Sequence, residues 1–157
     1  MKWLVFSDSH GSIDYMRQAV EAEGPDRVLH LGDMVRDAVK LRSLFPRLPM
    51  EQVRGNCDGW SSDEPEEKEV FFQDRRIWML HGHTYHVKYG TGMVAGEARA
   101  RGVDVVVFGH THQPLCDWDG VWVLNPGTVS GMPSATYGVI ELTEKGLSCR
   151  IEEIKRK

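Results

Sequence analysis

Apolar positions in the first half of the chain come in short unbroken runs, each ending abruptly in a polar turn. Residues 2–6 read Lys-Trp-Leu-Val-Phe and stop at Ser-Asp-Ser-His-Gly, and residues 27–31 read Arg-Val-Leu-His-Leu and stop at Gly32-Asp33. A run of four to eight apolar residues bounded by turn signals is the pattern of a strand buried on both faces. Between the two runs, Ile13, Met16, Ala19 and Val20 recur at helical spacing. That predicts a helix over 12–23, with Ser12 as its N-cap and Gly24-Pro25 as its stop. The beat then repeats. Residues 38–45 read as a helix closed by Pro46, and 51–53 as a short strand running into Arg54-Gly55-Asn56-Cys57-Asp58.

From Lys68 the texture changes. Residues 69–73 and 76–80 are strand-like and separated by Asp74-Arg75, a hairpin signal. A helix over 91–101 is broken by Gly102, and 103–108 is a buried strand that ends in Gly109-His110-Thr111-His112. Beyond it, strands at 115–118, 121–124, 136–142 and 147–154 are separated by Asp-Gly, Asn-Pro-Gly and Glu-Lys-Gly turns, so antiparallel pairing is expected there. Alternating α/β units followed by a hairpin-rich half imply an α/β fold: two mixed sheets face to face with helices outside, a four-layer α/β/β/α sandwich. No linker or repeat divides the chain, so one domain over 1–157 is expected. The acidic stretch 63–67 reads as an exposed loop.

Length and composition narrow the class. A domain of 157 residues buries roughly 70% of the surface of its unfolded chain, enough for an enzyme core. With 41% hydrophobic and 27% charged residues and a net charge of −4, the chain is unlike a disordered one and has no general attraction for nucleic acid. No apolar run approaches the ~20 residues of a membrane span, and the N-terminus shows no leader pattern, so a cytoplasmic location without membrane partners is expected. Cys57, Cys116 and Cys149 are an odd number without Cys-x-x-Cys spacing, which argues against a disulfide framework and a thiolate zinc site. The basic tail Lys155-Arg156-Lys157 reads as a solvated terminus.

The candidate chemistry sits where the strands stop. In open α/β sheets ligands bind beyond the carboxyl ends of strands, and five strand ends here carry Asp, His or Asn. Taken alone, Asp8-Ser9-His10 is also a turn capped by Asp, Gly32-Asp33 a common turn pair, and Asn56 a left-handed turn residue. His110 and His112, directly after a very apolar strand, are harder to dismiss, because buried imidazoles without partners are costly. His81 and His83 repeat that spacing after 76–80. A mixed Asp, Asn and His set without thiolates suits a borderline divalent metal. Trp3, Trp78 and Trp122 read as core, His30 as a strand histidine, and Cys116 and Cys149 as structural.

In this order, Asp8-Ser-His10, Gly32-Asp33, Gly55-Asn56, His81-Gly-His83 and Gly109-His110-Thr-His112 resemble the successive motifs of calcineurin-like metallophosphoesterases. Asn125-Pro126-Gly127-Thr128 is similar to the Asn-Pro-Gly-Ser turn of the small bacterial and archaeal phosphodiesterases in that superfamily. The resemblance implies two divalent ions, Mn²⁺ first and Zn²⁺, Fe, Ni²⁺ or Mg²⁺ as alternatives. One would be held by Asp8, His10, Asp33 and His112, the other by Asp33, Asn56, His110 and either His81 or His83, with His81 favoured by its place at the strand end. Asp33 would bridge the ions. A hydroxide between them would attack phosphorus in line, and the two ions set against Asp8, Asp33 and that hydroxide leave about +1 to meet the phosphoryl group.

Many members of the superfamily carry His where this chain has Cys57, and that His is assigned to the leaving group. A thiol of ordinary pKa, ~8.5, is a poor substitute acid, which turns attention to His83 as the donor. Asp58 is expected to orient His10, and Asn56, His83 and Trp60 to contact substrate, with His86 a further candidate. A small phosphodiester is the expected substrate. A phosphomonoesterase, a nuclease, or a metal-retaining scaffold, as in a trafficking-complex subunit of the same superfamily, are the alternatives. Apolar edge strands near the C-terminus raise the expectation of a homo-oligomer, dimer or tetramer.

Overall fold

The computed structural model describes residues 1–9, 13–32, 35–55, 65–129 and 135–154, without the side chains of Val35 and Arg36. Thirteen regular elements alternate along them. They are β1 (Lys2–Phe6), α1 (Ile13–Glu23), β2 (Arg27–His30), α2 (Val35–Leu44), β3 (Met50–Gln52), β4 (Glu67–Phe72), β5 (Arg75–Leu80), α3 (Gly92–Arg101), β6 (Val105–Val107), β7 (Leu115–Trp118), β8 (Trp122–Asn125), β9 (Ala135–Thr143) and β10 (Gly146–Ile154). Two 3-10 turns, His83–Tyr85 and Val87–Tyr89, lie between β5 and α3.

The strands form two five-stranded mixed sheets, ordered β10-β9-β1-β2-β3 and β4-β5-β6-β8-β7. Side-chain alternation explains why they stack. Trp3 and Val5 of β1, Ile77 and Met79 of β5, and Val105 and Val107 of β6 enter one core between the sheets. Leu4 and Phe6 face the opposite way and pack with Met16, Ala19 and Val20 of α1 and Leu41 of α2. Trp78, Leu80 and Val106 pack likewise with Val94, Ala95 and Ala98 of α3. The central strands are therefore buried on both faces, and the layers run helix, sheet, sheet, helix. No helix among the described residues is long and apolar enough to cross a membrane.

One expected pairing differs. β8 lies parallel to β6, while β7 pairs antiparallel with β8 at the edge of the sheet. Burial explains the order. Val123 and Leu124 are buried and take the inner place, whereas Leu115, Asp117 and Trp118 tolerate the solvent of an edge strand. The other C-terminal pairs, β1 with β9 and β9 with β10, are antiparallel as expected. The helix predicted over 38–45 runs Val35–Leu44, and the two 3-10 turns had no periodic signal. Within the acidic stretch, Glu67 opens β4 rather than lying in a loop.

The last residue of α1 ties the helix to its sheet. Tyr137 Oη–H donates to Glu23 Oε2 at 2.8 Å and Lys2 Nζ to Glu23 Oε1 at 3.0 Å, with Arg150 3.5 Å away. Burial alone would raise the pKa of Glu23, but the hydrogen bonds from Tyr137 and Lys2 outweigh it and hold the carboxyl below its ordinary value. A carboxyl whose pKa falls on folding stabilises fully above the unfolded value and ceases to do so as pH drops through the folded one. Glu23→Gln is thus expected to lower the urea midpoint at pH 7, with the gap to wild type closing as the solution is acidified. A gap that stays constant into the acid range would show that the Glu23 charge plays no part.

Candidate functional site

Asp8 lies just past β1, fully buried, and its backbone is left-handed with φ 54°. A carboxylate removed from water must be met by donors or cations. Ser7 Oγ–H donates to Oδ2 at 2.5 Å and the His110 backbone N–H to the same oxygen at 3.1 Å. The other oxygen, Oδ1, faces His112 Nε2 at 3.1 Å and His81 Nε2 at 3.9 Å. Backbone bonds fix the turn itself, from Asp8 N–H to Gly32 O at 3.0 Å and from Thr128 Oγ1–H to Asp8 O at 2.8 Å.

His81 follows β5 and is fully buried. Its Nδ1 lies 2.8 Å from the carbonyl oxygen of Leu31. A carbonyl only accepts, so the proton sits on Nδ1 and the lone pair on Nε2, which faces His110 Nδ1 at 3.2 Å. A histidine that gives one N–H to a carbonyl and turns its other nitrogen to a cluster of donors is held as metal-ligating histidines are held. The His81 imidazole comes within 3.9 Å of Asp8 Oδ1. His83 stands beside it in the first 3-10 turn, its ring 5.6 Å from that of His81 and 6.1 Å from that of His110. His86 is exposed between the two 3-10 turns.

The turns meet because glycine lets them. A Cβ on Gly109 would fall 2.0 Å from Ser7 Oγ and 2.9 Å from Asp8 Oδ2, so the loop after β6 lies directly on the loop after β1. At Gly32, with φ 104°, a Cβ would fall 2.4 Å from the backbone nitrogen of Gly55, which brings the turns leading to Asp33 and Asn56 into contact. His110 and His112 join Asp8 in the left-handed region, with φ 72° and 63°. Each such residue is strained by about 1–2 kcal/mol, and strain of this kind gathers at functional sites. The Asn-Pro-Gly turn buttresses the loop. Asn125 Nδ2–H donates to Thr111 Oγ1 at 2.8 Å and to Gly109 O at 3.3 Å, while Asn125 Oδ1 accepts from Gly127 N–H at 2.9 Å.

His30, expected to be an ordinary strand histidine, is part of the same assembly. The Gly32 N–H donates to His30 Nδ1 at 3.2 Å, which places the ring proton on Nε2, 3.1 Å from Ser9 Oγ. Ser9 Oγ–H in turn donates to Asp37 Oδ2 at 2.7 Å, and Asp37 lies in the first turn of α2, where a carboxylate suits the helix dipole. Ser9, His30 and Asp37 are all buried. The chain of bonds fastens the turn carrying Asp8 to the turn leading to Asp33. The only hint in the sequence was a polar residue inside an apolar run.

His10, Asp33, Asn56, Cys57, Asp58 and Trp60 lie outside the described residues. Among the described residues no three His, Cys, Asp or Glu side chains form a metal site by themselves. The donors present nevertheless fit a divalent cation. A buried carboxylate oxygen faces two imidazole nitrogens, and the mixture of oxygen and imidazole without thiolate is the chemistry of a borderline metal. Cys116 and Cys149 sit apart, half-buried against the core between the sheets. Trp3 and Trp78 are buried, and Trp122 packs at the margin of that core.

Comparison with known proteins points one way. The profile of the calcineurin-like phosphoesterase superfamily domain matches residues 1–145. The probable metallophosphoesterase YsnB of Bacillus subtilis is 33% identical over 134 residues, 82% of this chain and 75% of its own. A solved archaeal phosphodiesterase superposes with a TM-score of 0.74 at 26% identity, covering 98% of this chain and all of its own. The same fold, at 20% identity and a TM-score of 0.76, is found in Vps29 of Entamoeba histolytica, solved with Zn²⁺, over 98% of this chain and 99% of that one.

The contact at Gly109 generates a direct test. Gly109→Ala is expected to lower the melting temperature by several degrees, because neither Ser7 nor the buried Asp8 can retreat. Gly96→Ala, whose Cβ on α3 would meet only Arg99 at 3.8 Å, should raise stability by up to about 1 kcal/mol. Thermal unfolding followed by circular dichroism compares the two, and equal effects would refute the close packing of the loops.

Proposed function

Because the chain belongs to the calcineurin-like phosphoesterase superfamily, we propose that it hydrolyses phosphodiester bonds of a small diester at a two-metal centre. One observation carries the reading. Two contacts between described ligand candidates support it, Asp8 with His112 at 3.1 Å and His81 with His110 at 3.2 Å. The first pair would be completed by His10 and Asp33, the second by Asp33 and Asn56, and Mn²⁺ is the ion proposed for both places. Bound there, the ions would supply an acidified water and positive charge toward the phosphoryl oxygens.

The protein's own part is orientation. The Leu31 carbonyl keeps the His81 proton on Nδ1 and so turns the lone pair of Nε2 toward the site. Ser7 and the His110 amide hold one oxygen of Asp8 and leave the other toward the site. His83, beside the pair formed by His81 and His110, is placed to give a proton to the departing alkoxide, the task for which Cys57 is poorly suited. Asn56 and Trp60 are the further proposed substrate contacts, and Asp58 the proposed partner of His10. Likeness in fold to Vps29 keeps a metal-retaining, non-catalytic role as the second reading.

Protein stripped with chelator and restored with Mn²⁺, Mg²⁺, Zn²⁺ or nothing should cleave an activated aryl phosphodiester faster than its monoester, with Mn²⁺ best. Asp33→Asn should abolish turnover. Two ions bound per chain without turnover under any metal would favour the non-catalytic role. His30→Ala is expected to weaken Mn²⁺ binding by about 10–100-fold in a calorimetric titration, since it removes a bond that positions ligands without being one. Unchanged affinity would separate His30 from the centre.

A further inference from the structure

The two segments that carry the histidines run on beyond them, and a recess of 470 Å³ lies between their continuations. One wall is Val87, Lys88 and Thr91, downstream of His83, and the other is Thr111, Gln113 and Leu115, downstream of His110. Both walls therefore begin at the histidine cluster, where the rings of His83 and His110 are 6.1 Å apart. Thr111 is one residue, about 3.8 Å of backbone, from His110 and from His112. Its hydroxyl is turned to Asn125, which lines the same recess. The volume falls in the range of about 300–1,000 Å³ typical of small-molecule sites.

We propose that this recess seats one ester arm of the diester, and that the arm bears a ring, as an aryl group or a nucleoside does. The inference rests on the phosphoesterase reading and adds a substrate class to it. Leu115, opposite the buried Val87, offers an apolar face for a planar group, while Thr91 and Gln113 supply hydrogen-bonding edges. Leu115 is an exposed large apolar residue two positions from an exposed glutamine, and a ring laid over it would remove that surface from water. Lys88 makes no ion pair among the described residues and puts a positive charge beside the path of an anionic substrate, on a chain whose net charge is −4. A monoester product without the arm has nothing to place there.

The test measures binding of two probes to the Mn²⁺-loaded protein by titration calorimetry: inorganic phosphate, which has no arm, and thymidine 5′-monophosphate, which has one. Thr91→Trp fills the recess from one wall. Thr91 precedes α3 without a side-chain capping bond, so its replacement spares the helix. Leu115→Trp fills it from the other wall at a half-exposed edge strand. In both variants the ratio of the two dissociation constants should move about tenfold or more in favour of phosphate, the scale of losing the burial of a ring. An unchanged ratio in both, with the wild type still cleaving a diester, overturns the subsite and leaves the phosphoesterase reading standing. A wild type that cleaves no diester under any metal overturns both.

Discussion

The Asp8 carboxylate lies wholly out of solvent where the two sheets meet, and a charge placed there has to be answered from every side. The answers come from residues far apart in sequence: Ser7 from the same turn, and the amide of His110 and the imidazole of His112 from the loop after β6. The loop at 109–111 is itself anchored by Asn125, and the neighbouring His81 by the Leu31 carbonyl. Left without these partners, the carboxylate would cost several kcal/mol, a large share of the stability of a domain this size. The strained backbone at Asp8, His110 and His112 persists because that network, and the packing beneath it, allows no relaxed alternative.

Much of this was legible before any coordinates. Runs such as 2–6 and 103–108 announced strands buried on both faces, because only such strands can be apolar at every position. The polar residues that closed the runs were legible as a site for the same reason, since nothing else about an apolar strand requires a histidine pair at its end. Other features had no local signature. The parallel placement of β8 beside β6 depends on which strand can bear solvent on an edge, a comparison between β7 and β8 that no single window contains. The part played by His30 depends on Ser9, 21 residues before it, and on Asp37, which lies 28 residues from Ser9. Left-handed histidines at 110 and 112 run against residue preference and are imposed by tertiary contacts.

The division of labour between the sheets explains why one fold serves proteins of different character. Sheet β10-β9-β1-β2-β3 brings the carboxylate-bearing turns and sheet β4-β5-β6-β8-β7 brings the histidines, while the core between them is plain hydrocarbon. Chemistry is thus confined to a rim of loops that can change without disturbing what lies beneath. In sequence this chain carries a histidine or carboxylate at most of the strand ends that lead into that rim, and its chief departure from the motifs it resembles is Cys57.

The order of strands also has a bearing on synthesis. β1 is made before every other described strand, yet its neighbour on one side is β9, whose residues 135–143 follow seven intervening strands. Asp8 sits at the tip of that first strand, and the Thr128 hydroxyl that holds its carbonyl emerges 120 residues later. All of the chain between β1 and β9 must therefore be made before β1 can be locked between both its neighbours. Until then one edge of β1 lacks its ladder partner, and an unpaired edge of that kind is what a folding chain has to keep from pairing with another chain.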